Sequence, residues 1–520
     1  MDVAQHVEDR SPRGIAAAVS RLVRSGELQP GDRLPTVRRL AADLGVSPAT
    51  VSGAWQALAA VGLVTSRGRA GTVVLPEPAS WLPPRYRDMA QGGRVELDPA
   101  TMAGAAGAGA MGARAAGAGT AGMTGTWAAT ADGAPGTTAG AAPPPAGPVA
   151  VGRILPPRSH RPPRLDLSTG TPDPELLPAL GPALGRIAAR TPAAGTGSYL
   201  GTPVVEALER LLRASWPFTP QRMTVVDGAV DAISRSLEQL AGFGDRVIVE
   251  DPGFPPIFDL CDQLGLERVP VPLDSRGLRP DALEAALRTG AEVVVLQPRA
   301  HNPTGVSMSA TRAREIAAVI RRHLATSPGS TVHVIEDDHS GEIASTADIS
   351  LGAYLPDRVV HVRSYSKSHG PDLRIAALGG PAAVLDRVVA RRMLGPGWTS
   401  RLLQHLLVDL LTDGDALDAV AQARRLYYAR QRALSTALAT RGLVVQPGDG
   451  INVWVPVADE PTALVRLEAA GIRVARGRPF RAGPTTDDPS GHVRVTVANL
   501  AGPPGTVEHV AQALALAAAP

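Results

Sequence analysis

Apolar residues recur at helical spacing over residues 14–25, and Gly26 ends the run. The segment Leu28-Gln-Pro-Gly-Asp-Arg-Leu-Pro-Thr36 is turn chemistry leading into a second predicted helix at 36–44, broken by Gly45. A third helix follows Ser47, a good N-cap, with Val51, Trp55, Leu58 and Ala59 expected on its apolar face. Leu63-Val64 and Thr72-Val73-Val74 alternate as two short strands around Ser66–Gly71. Three helices and a two-stranded wing are thus expected within residues 10–76.

The pattern then vanishes. Between 101 and 150, 31 of 50 residues are Ala or Gly and only Arg114 and Asp132 are charged, too little apolar bulk to offset ordering entropy. Residues 77–163 are therefore expected to form a flexible Ala/Gly/Pro-rich linker. From 164 to 520, β-branched runs alternate with helical segments. The strands expected are 246–250, 292–296, 332–336 and 359–362, the signature of a mostly parallel α/β sheet. Runs at 451–455, 472–474 and 492–497 suggest a smaller α+β lobe.

Composition adds little until one residue type is counted. The net charge of +3 decides nothing, although residues 1–76 carry nine Arg against six acids, which permits nucleic-acid binding. Cys261 is the only cysteine, so no internal disulfide or cysteine metal cluster is expected, and no metal site is proposed. No apolar run of membrane-spanning length occurs, and the N-terminus carries early acids rather than a secretory core; a cytoplasmic, non-membrane protein is expected. Of 52 Lys and Arg residues, only Lys367 is lysine. Arginine replaces lysine at most surface sites but cannot lose its proton, so a lone lysine either survives by chance or marks a place that needs a reactive amine.

Its surroundings fit pyridoxal 5'-phosphate (PLP), which needs an amine, a carboxylate at the ring nitrogen and phosphate anchors. Asp337, at the end of an expected strand, supplies the carboxylate, with Asp338 as its rival. Gly228, Ala229 and Val230 open a helix whose N-terminal amides suit a phosphate. Ser364 and Arg374 add a hydroxyl and a bidentate cation. Phe254 can stack on the ring, Asn302 can reach its hydroxyl, and Arg494 can grip a ligand carboxylate.

In the N-terminal unit, a helix-turn-helix with a wing is a DNA-reading geometry whose second helix enters the major groove. Base-edge candidates are Ser47, Ala49, Thr50 and Ser52; Arg33 and Arg38 are phosphate candidates, Arg67 and Arg69 on the wing could hold phosphates or the minor groove, and Thr36 is a further DNA-binding candidate. The run from Gly26 to Val74 resembles the GntR-type winged helix: Gly-x-Leu-x-Pro-Gly-Asp-Arg-Leu-Pro, then Arg-x-Leu-Ala-x-x-Leu-Gly-Val-Ser, then Thr-Val-x-x-Ala. Pro48 stands where that family usually has Arg, so a different operator half-site is expected.

From Leu167 to the C-terminus the order Gly170, Tyr199, Gly228-Ala229, Phe254, Asn302-Pro-Thr-Gly, Asp337, Ser-x-Ser-Lys367, Arg374, Arg494 resembles fold-type I aminotransferases. That resemblance implies that Tyr199 reaches the phosphate in a neighbouring subunit, hence a homodimer, and places Gly170 beside Arg494 at the substrate carboxylate. His339 departs from the Tyr usual there. The whole architecture resembles the MocR-type subfamily of GntR regulators. It implies a dimeric, PLP-responsive transcription factor that binds duplex DNA, senses PLP or its adduct with an amino acid or amine, and controls vitamin B6 or amino-compound metabolism. Such regulators cross the winged helix of one chain over the body of the other. A catalytically active aminotransferase carrying a DNA-binding appendage is the alternative; a body serving only for dimerisation is a third reading.

Overall fold

Ser11 opens the first helix: its hydroxyl accepts from the Gly14 N–H at 3.0 Å and Pro12 takes the first helical position, where a missing N–H costs nothing. The computed structural model describes residues 3–60, 63–66, 71–75, 165–190, 199, 201–483 and 491–519. Helix α1 (Pro12–Arg24) is followed by α2 (Val37–Leu44), capped by the Thr36 hydroxyl and ended by Gly45 at φ 67°. In α3 (Pro48–Ala60) the Thr50 N–H donates to the Ser47 hydroxyl at 3.2 Å, as the N-cap reading requires. Strands β1 (Val64–Ser66) and β2 (Thr72–Val74) pair antiparallel, Val64 opposite Val74, and Arg33 bridges to Val73.

Ile15, Val19, Leu22, Leu40, Leu44, Val51, Trp55 and Leu58 fill the core of this unit. One expected core residue differs. Ala59 is exposed and Ala54 takes the buried place. Ala54, Trp55 and Leu58 flank Val51 on a 3.6-residue helix, whereas Ala59 sits about 90° from the centre of that stripe. The expected linker at 77–163 and the wing residues Arg67 and Arg69 lie outside the described residues.

The body runs β3 (Leu165–Leu167), α4 (Leu180–Arg190), α5 (Glu206–Ala214), β4 (Arg222–Val226), α6 (Ala229–Leu240) and β5 (Arg246–Asp251). It continues α7 (Pro255–Gln263), β6 (Glu267–Asp274), β7 (Gly277–Leu278), α8 (Pro280–Leu287), β8 (Val293–Leu296), α9 (Ala310–Thr326) and β9 (His333–Asp338). Then come β10 (Val359–Ser364), β11 (Ala376–Gly380), α10 (Ala382–Met393), α11 (Arg401–Thr412) and α12 (Gly414–Ala439). The chain ends with β12 (Asn452–Val457), α13 (Glu460–Ala469), β13 (Ile472–Arg476), β14 (Gly491–Thr496) and α14 (Thr506–Ala518).

The large sheet has the order β4-β11-β10-β9-β8-β5-β6-β7; only β11 and β7 run against the rest. Strands β8 and β10 are buried end to end, and β5 and β9 along their middles, as the continuous apolar runs at 246–250, 292–296 and 332–336 require of a sheet covered on both faces. One side packs under α6, α7 and α10, the other under α8 and α9. The smaller lobe is a four-stranded sheet, β12-β14-β13-β3, under α13, α14 and the end of α12. The loops leaving the C-terminal ends of β4, β5, β8, β9 and β10 gather at one edge, where open α/β sheets bind ligands. Among the described residues, no helix is long and apolar enough to cross a membrane.

Candidate cofactor site and DNA-reading unit

The turn from β4 to α6 places Gly228 at φ 103°, a conformation that suits glycine. A Cβ there would stand 2.8 Å from the Arg374 guanidinium, so the bare backbone lets the cation close over the helix N-terminus. Arg374 donates to the Asp227 carbonyl at 2.7 Å, and no side chain caps α6. Val230 turns an exposed side chain outward, so its contribution is the backbone N–H. Ser364 lies buried at the end of β10. The Arg374 guanidinium thus lies over the N-terminus of α6, and the Ser364 hydroxyl accepts from the Ser366 N–H at 3.3 Å.

Two acids stand beside it, and the sequence offered no hint of how they are neutralised. Buried Arg392, from α10, reaches Asp231 at 2.7 Å and Asp227 at 3.0 Å, and Thr399 donates to Asp227 at 2.7 Å. Without Arg392 these carboxylates would repel a phosphate.

The second part of the site lies at the ends of β8 and β9. Asp337 is buried; desolvation pushes its carboxyl up to about 6 against the pull of the Gln297 amide. Gln297 donates to Asp337 Oδ2 at 2.8 Å and accepts from the Asn302 N–H at 2.7 Å, while its own N–H donates to Glu250 at 2.8 Å. The rival Asp338 points elsewhere. Arg299 clamps it with bonds of 2.9 and 2.6 Å, and although burial alone would raise it, that cation holds it down at about 2. Asp338, Asp348 and His361 also form a metal-like grouping, but Arg299 and Arg363 already serve its carboxylates. Phe254 caps α7 and packs against the core under the sheet.

Lys367 follows β10 and donates to the Gly170 carbonyl at 2.5 Å. Burial, helped by the Arg494 charge, lowers its amine to about 8 against the pull of Asp337. His339 is pushed down to about 3, first by burial and then by the Lys367 charge, so its imidazole is neutral at ordinary pH. Arg494 is buried on β14; desolvation lowers it to about 10, it donates to Asn302 Oδ1 at 3.2 Å, and it also donates to the Ser168 carbonyl. Gly170, at φ 63°, lies so close that a Cβ would stand 3.0 Å from that guanidinium. Three supports escaped the sequence reading. Thr496 accepts from the Gly170 N–H at 2.9 Å, Asn452 donates to Asn302 Oδ1 at 3.4 Å, and Phe480 lies under the Arg494 guanidinium at 5.1 Å. Tyr199 stays away from this cluster, 76% exposed and edge-on to Trp398.

These residues fit PLP on their own geometry. Asp337 Oδ1 is buried without a hydrogen-bond partner, where a protonated ring nitrogen would donate, and the bare Gly228 backbone lets the Arg374 guanidinium close over a helix N-terminus that no side chain caps.

In the N-terminal unit Arg33, Thr36, Arg38, Ser47 and Ala49 are exposed, and Thr50 and Ser52 half-exposed, along α2 and the start of α3. The Ser47 and Thr50 hydroxyls lie 2.8 Å apart and bond to each other.

Residues 162–514 match the family described as aminotransferase class I and II, and residues 13–74 match bacterial regulatory proteins, gntR family. A vitamin B6 salvage pathway transcriptional repressor, PtsJ of Salmonella typhimurium, is 32% identical over 95% of this chain and 96% of its own. A pyridoxine biosynthesis transcriptional regulator of Corynebacterium glutamicum, PdxR, is 25% identical over 90% and 88%. Among solved structures, the Thermus thermophilus α-aminoadipate aminotransferase LysN, complexed with N-(5'-phosphopyridoxyl)-L-leucine, superposes with a TM-score of 0.59. It covers 67% of this chain and 92% of that one at 22% identity, a likeness of fold. The chain belongs to the MocR-type regulators of the gntR family, in which a winged helix is joined to an aminotransferase class I and II body.

Proposed function

We propose that this chain is a cytoplasmic, homodimeric transcription regulator that binds operator DNA through its winged helix and holds PLP at Lys367. On this reading it responds to PLP, or to PLP together with an amino acid or amine, and controls genes of vitamin B6 or amino-compound metabolism. The observation that carries it is the Lys367 amine, on the Gly170 carbonyl and within electrostatic reach of Asp337, whose buried carboxylate keeps an unpartnered oxygen, in a chain that also folds a winged helix. The names of PtsJ and PdxR support the pathway.

When bound, PLP supplies an aldehyde for reversible condensation with amines and an electron-withdrawing ring. Lys367, with its amine at about 8, keeps a usable neutral fraction near neutral pH. Asp337 would hold the ring nitrogen protonated, Asn302 would face the ring hydroxyl, Phe254 would lie on the ring face, and His339 would stand as a neutral imidazole. The phosphate would take the α6 N-terminus, Ser364 and Arg374. Arg494 would bind the carboxylate of an amino-acid effector beside Gly170. Exposed Tyr199 would reach the phosphate of a second copy, which makes the dimer part of the site.

The test is binding to the protein's own upstream DNA with and without PLP. Preference over random DNA, changed by PLP, is expected; equal affinity for both would end the regulator reading. A working aminotransferase is the second reading, favoured by Lys367 and Arg494 both bordering Gly170. An amino-acid scan separates the two: spectral change without keto-acid release supports the sensor, and steady turnover supports the enzyme.

A further inference from the structure

Six successive residues of α1, Ile15 to Ser20, are buried. Six residues turn through more than a full helical circuit, so no side of this stretch faces water. The winged-helix core covers one side. On another, Ala17 faces the body loop Ala241–Asp245: a Cβ on Gly244 would stand 2.3 Å from the Ala17 Cβ. Phe243 packs against the winged-helix core, and the Arg13 guanidinium lies 5.9 Å from its ring centroid. Arg13 also donates to the Gly265 carbonyl at 2.8 Å, which accepts from the Gly244 N–H at 2.9 Å. Gly265 lets the Phe243 ring lie directly on its backbone, 2.5 Å from where a Cβ would be. Two glycines therefore shape this seat.

The seat stands at the far end of three elements that begin or end at the cofactor site. Helix α6 starts at the Gly228 cradle and leads, after Leu240, into Ala241–Phe243. Strand β5 leaves the same loop and ends at Asp251, three residues before Phe254. Helix α7 is capped by Phe254 and ends at Gln263, two residues before Gly265. Phosphate end and ring face are thus each joined to the winged helix by a single rigid element, α6 spanning roughly 18 Å.

We propose that the Phe243–Gly244–Gly265 surface is the contact through which cofactor occupancy reaches the winged helix, with Arg13 and Ala17 of α1 as the receiving face. This rests on PLP binding at Lys367. A shift of α6 or α7 on occupancy would move Phe243 or Gly265 against α1, and α1 carries α3 through their shared core.

The experiment uses full-length protein. Hydrogen exchange of the peptide covering 12–24 is followed with and without PLP, uptake being read by visible absorbance in the same samples. Expected is an exchange change of threefold or more in α1 of the wild type. Phe243→Ala and Arg13→Ala should take up PLP as the wild type does, yet lose the α1 response and the PLP-dependent shift in DNA affinity. Two variants guard against one being misfolded, and retained uptake shows an intact body. Uptake with no change in α1, or a full DNA response in both variants, overturns the relay while leaving PLP binding intact. No uptake by the wild type overturns both.

Discussion

Gln297 joins Asp337 to Asn302, the two residues proposed to meet the cofactor ring: its amide donates to Asp337 at 2.8 Å while its carbonyl accepts from the backbone of Asn302 at 2.7 Å. A hydrogen bond to a charged partner is worth about 1.5–3 kcal/mol. Gln297→Leu removes it and leaves Asp337 less ready to pair with a protonated ring nitrogen. PLP affinity, read by absorbance titration, should fall roughly 10- to 100-fold by that figure. An affinity within twofold of wild type would show that Asp337 is held by its strand alone.

Asp337 also sets a pH dependence of the cofactor-free protein. The folded carboxyl titrates at about 6 and the unfolded one near 3.8, because burial penalises the charge. Between those values the folded chain holds a proton that the unfolded chain has released, so stability falls as pH rises through this window. The loss is complete above about 6 and absent below the unfolded value. Asp337→Asn has no such titration. Its melting temperature relative to wild type should climb from pH 4 to pH 6 and then level off, while its PLP uptake drops. A difference that stays flat from pH 4 to 7 would count against the burial argument.

The fold was legible because both hydrophobic periods are strong. Period-3.6 stripes ended by Gly26 and Gly45 gave the winged helix, and β-branched runs gave the sheet. The candidate site was legible where chemistry leaves one choice, as with the lone Lys367. Sequence put Asp337 forward but kept neighbouring Asp338 as its rival; successive strand residues face opposite ways, and in the structure Arg299 occupies Asp338 while Asp337 Oδ1 keeps no partner. Gln297, Arg392 and Thr496 went unnoticed for a related reason. Each acts by holding another residue, and that role depends on strands and helices far apart in the chain.

The DNA-reading unit separates two kinds of contact. Arg38 is exposed on α2 and is placed to meet phosphate, so Arg38→Ala should weaken binding to all sequences and lower the salt slope by about 1. Thr50 lies in the first turn of α3, and its hydroxyl is shared with Ser47. Thr50→Ala should relax sequence preference while leaving non-specific affinity nearly unchanged. Competition binding with operator and random DNA at two salt concentrations measures both. A Thr50→Ala protein that keeps full discrimination would show that the Ser47 bond, not a base, occupies that hydroxyl.

Lys367→Arg isolates the amine itself. The substitution keeps a cation of similar length near the Gly170 carbonyl but cannot condense with an aldehyde. Because Lys367 is the only lysine, borohydride reduction of PLP-loaded wild type should fix the cofactor to the peptide containing it, apart from minor reaction at the N-terminal amine. The mutant should show no fixation there. It should still hold PLP weakly through the α6 N-terminus, Ser364 and Arg374. Basal DNA binding should persist, since the residues placed to read DNA lie on α2 and α3. The change in DNA affinity caused by PLP should shrink or vanish, because a ligand shifts an equilibrium only by its differential affinity for the two states. A mutant that answers PLP as fully as wild type would mean that occupancy of the phosphate cradle, rather than the covalent bond, is the signal.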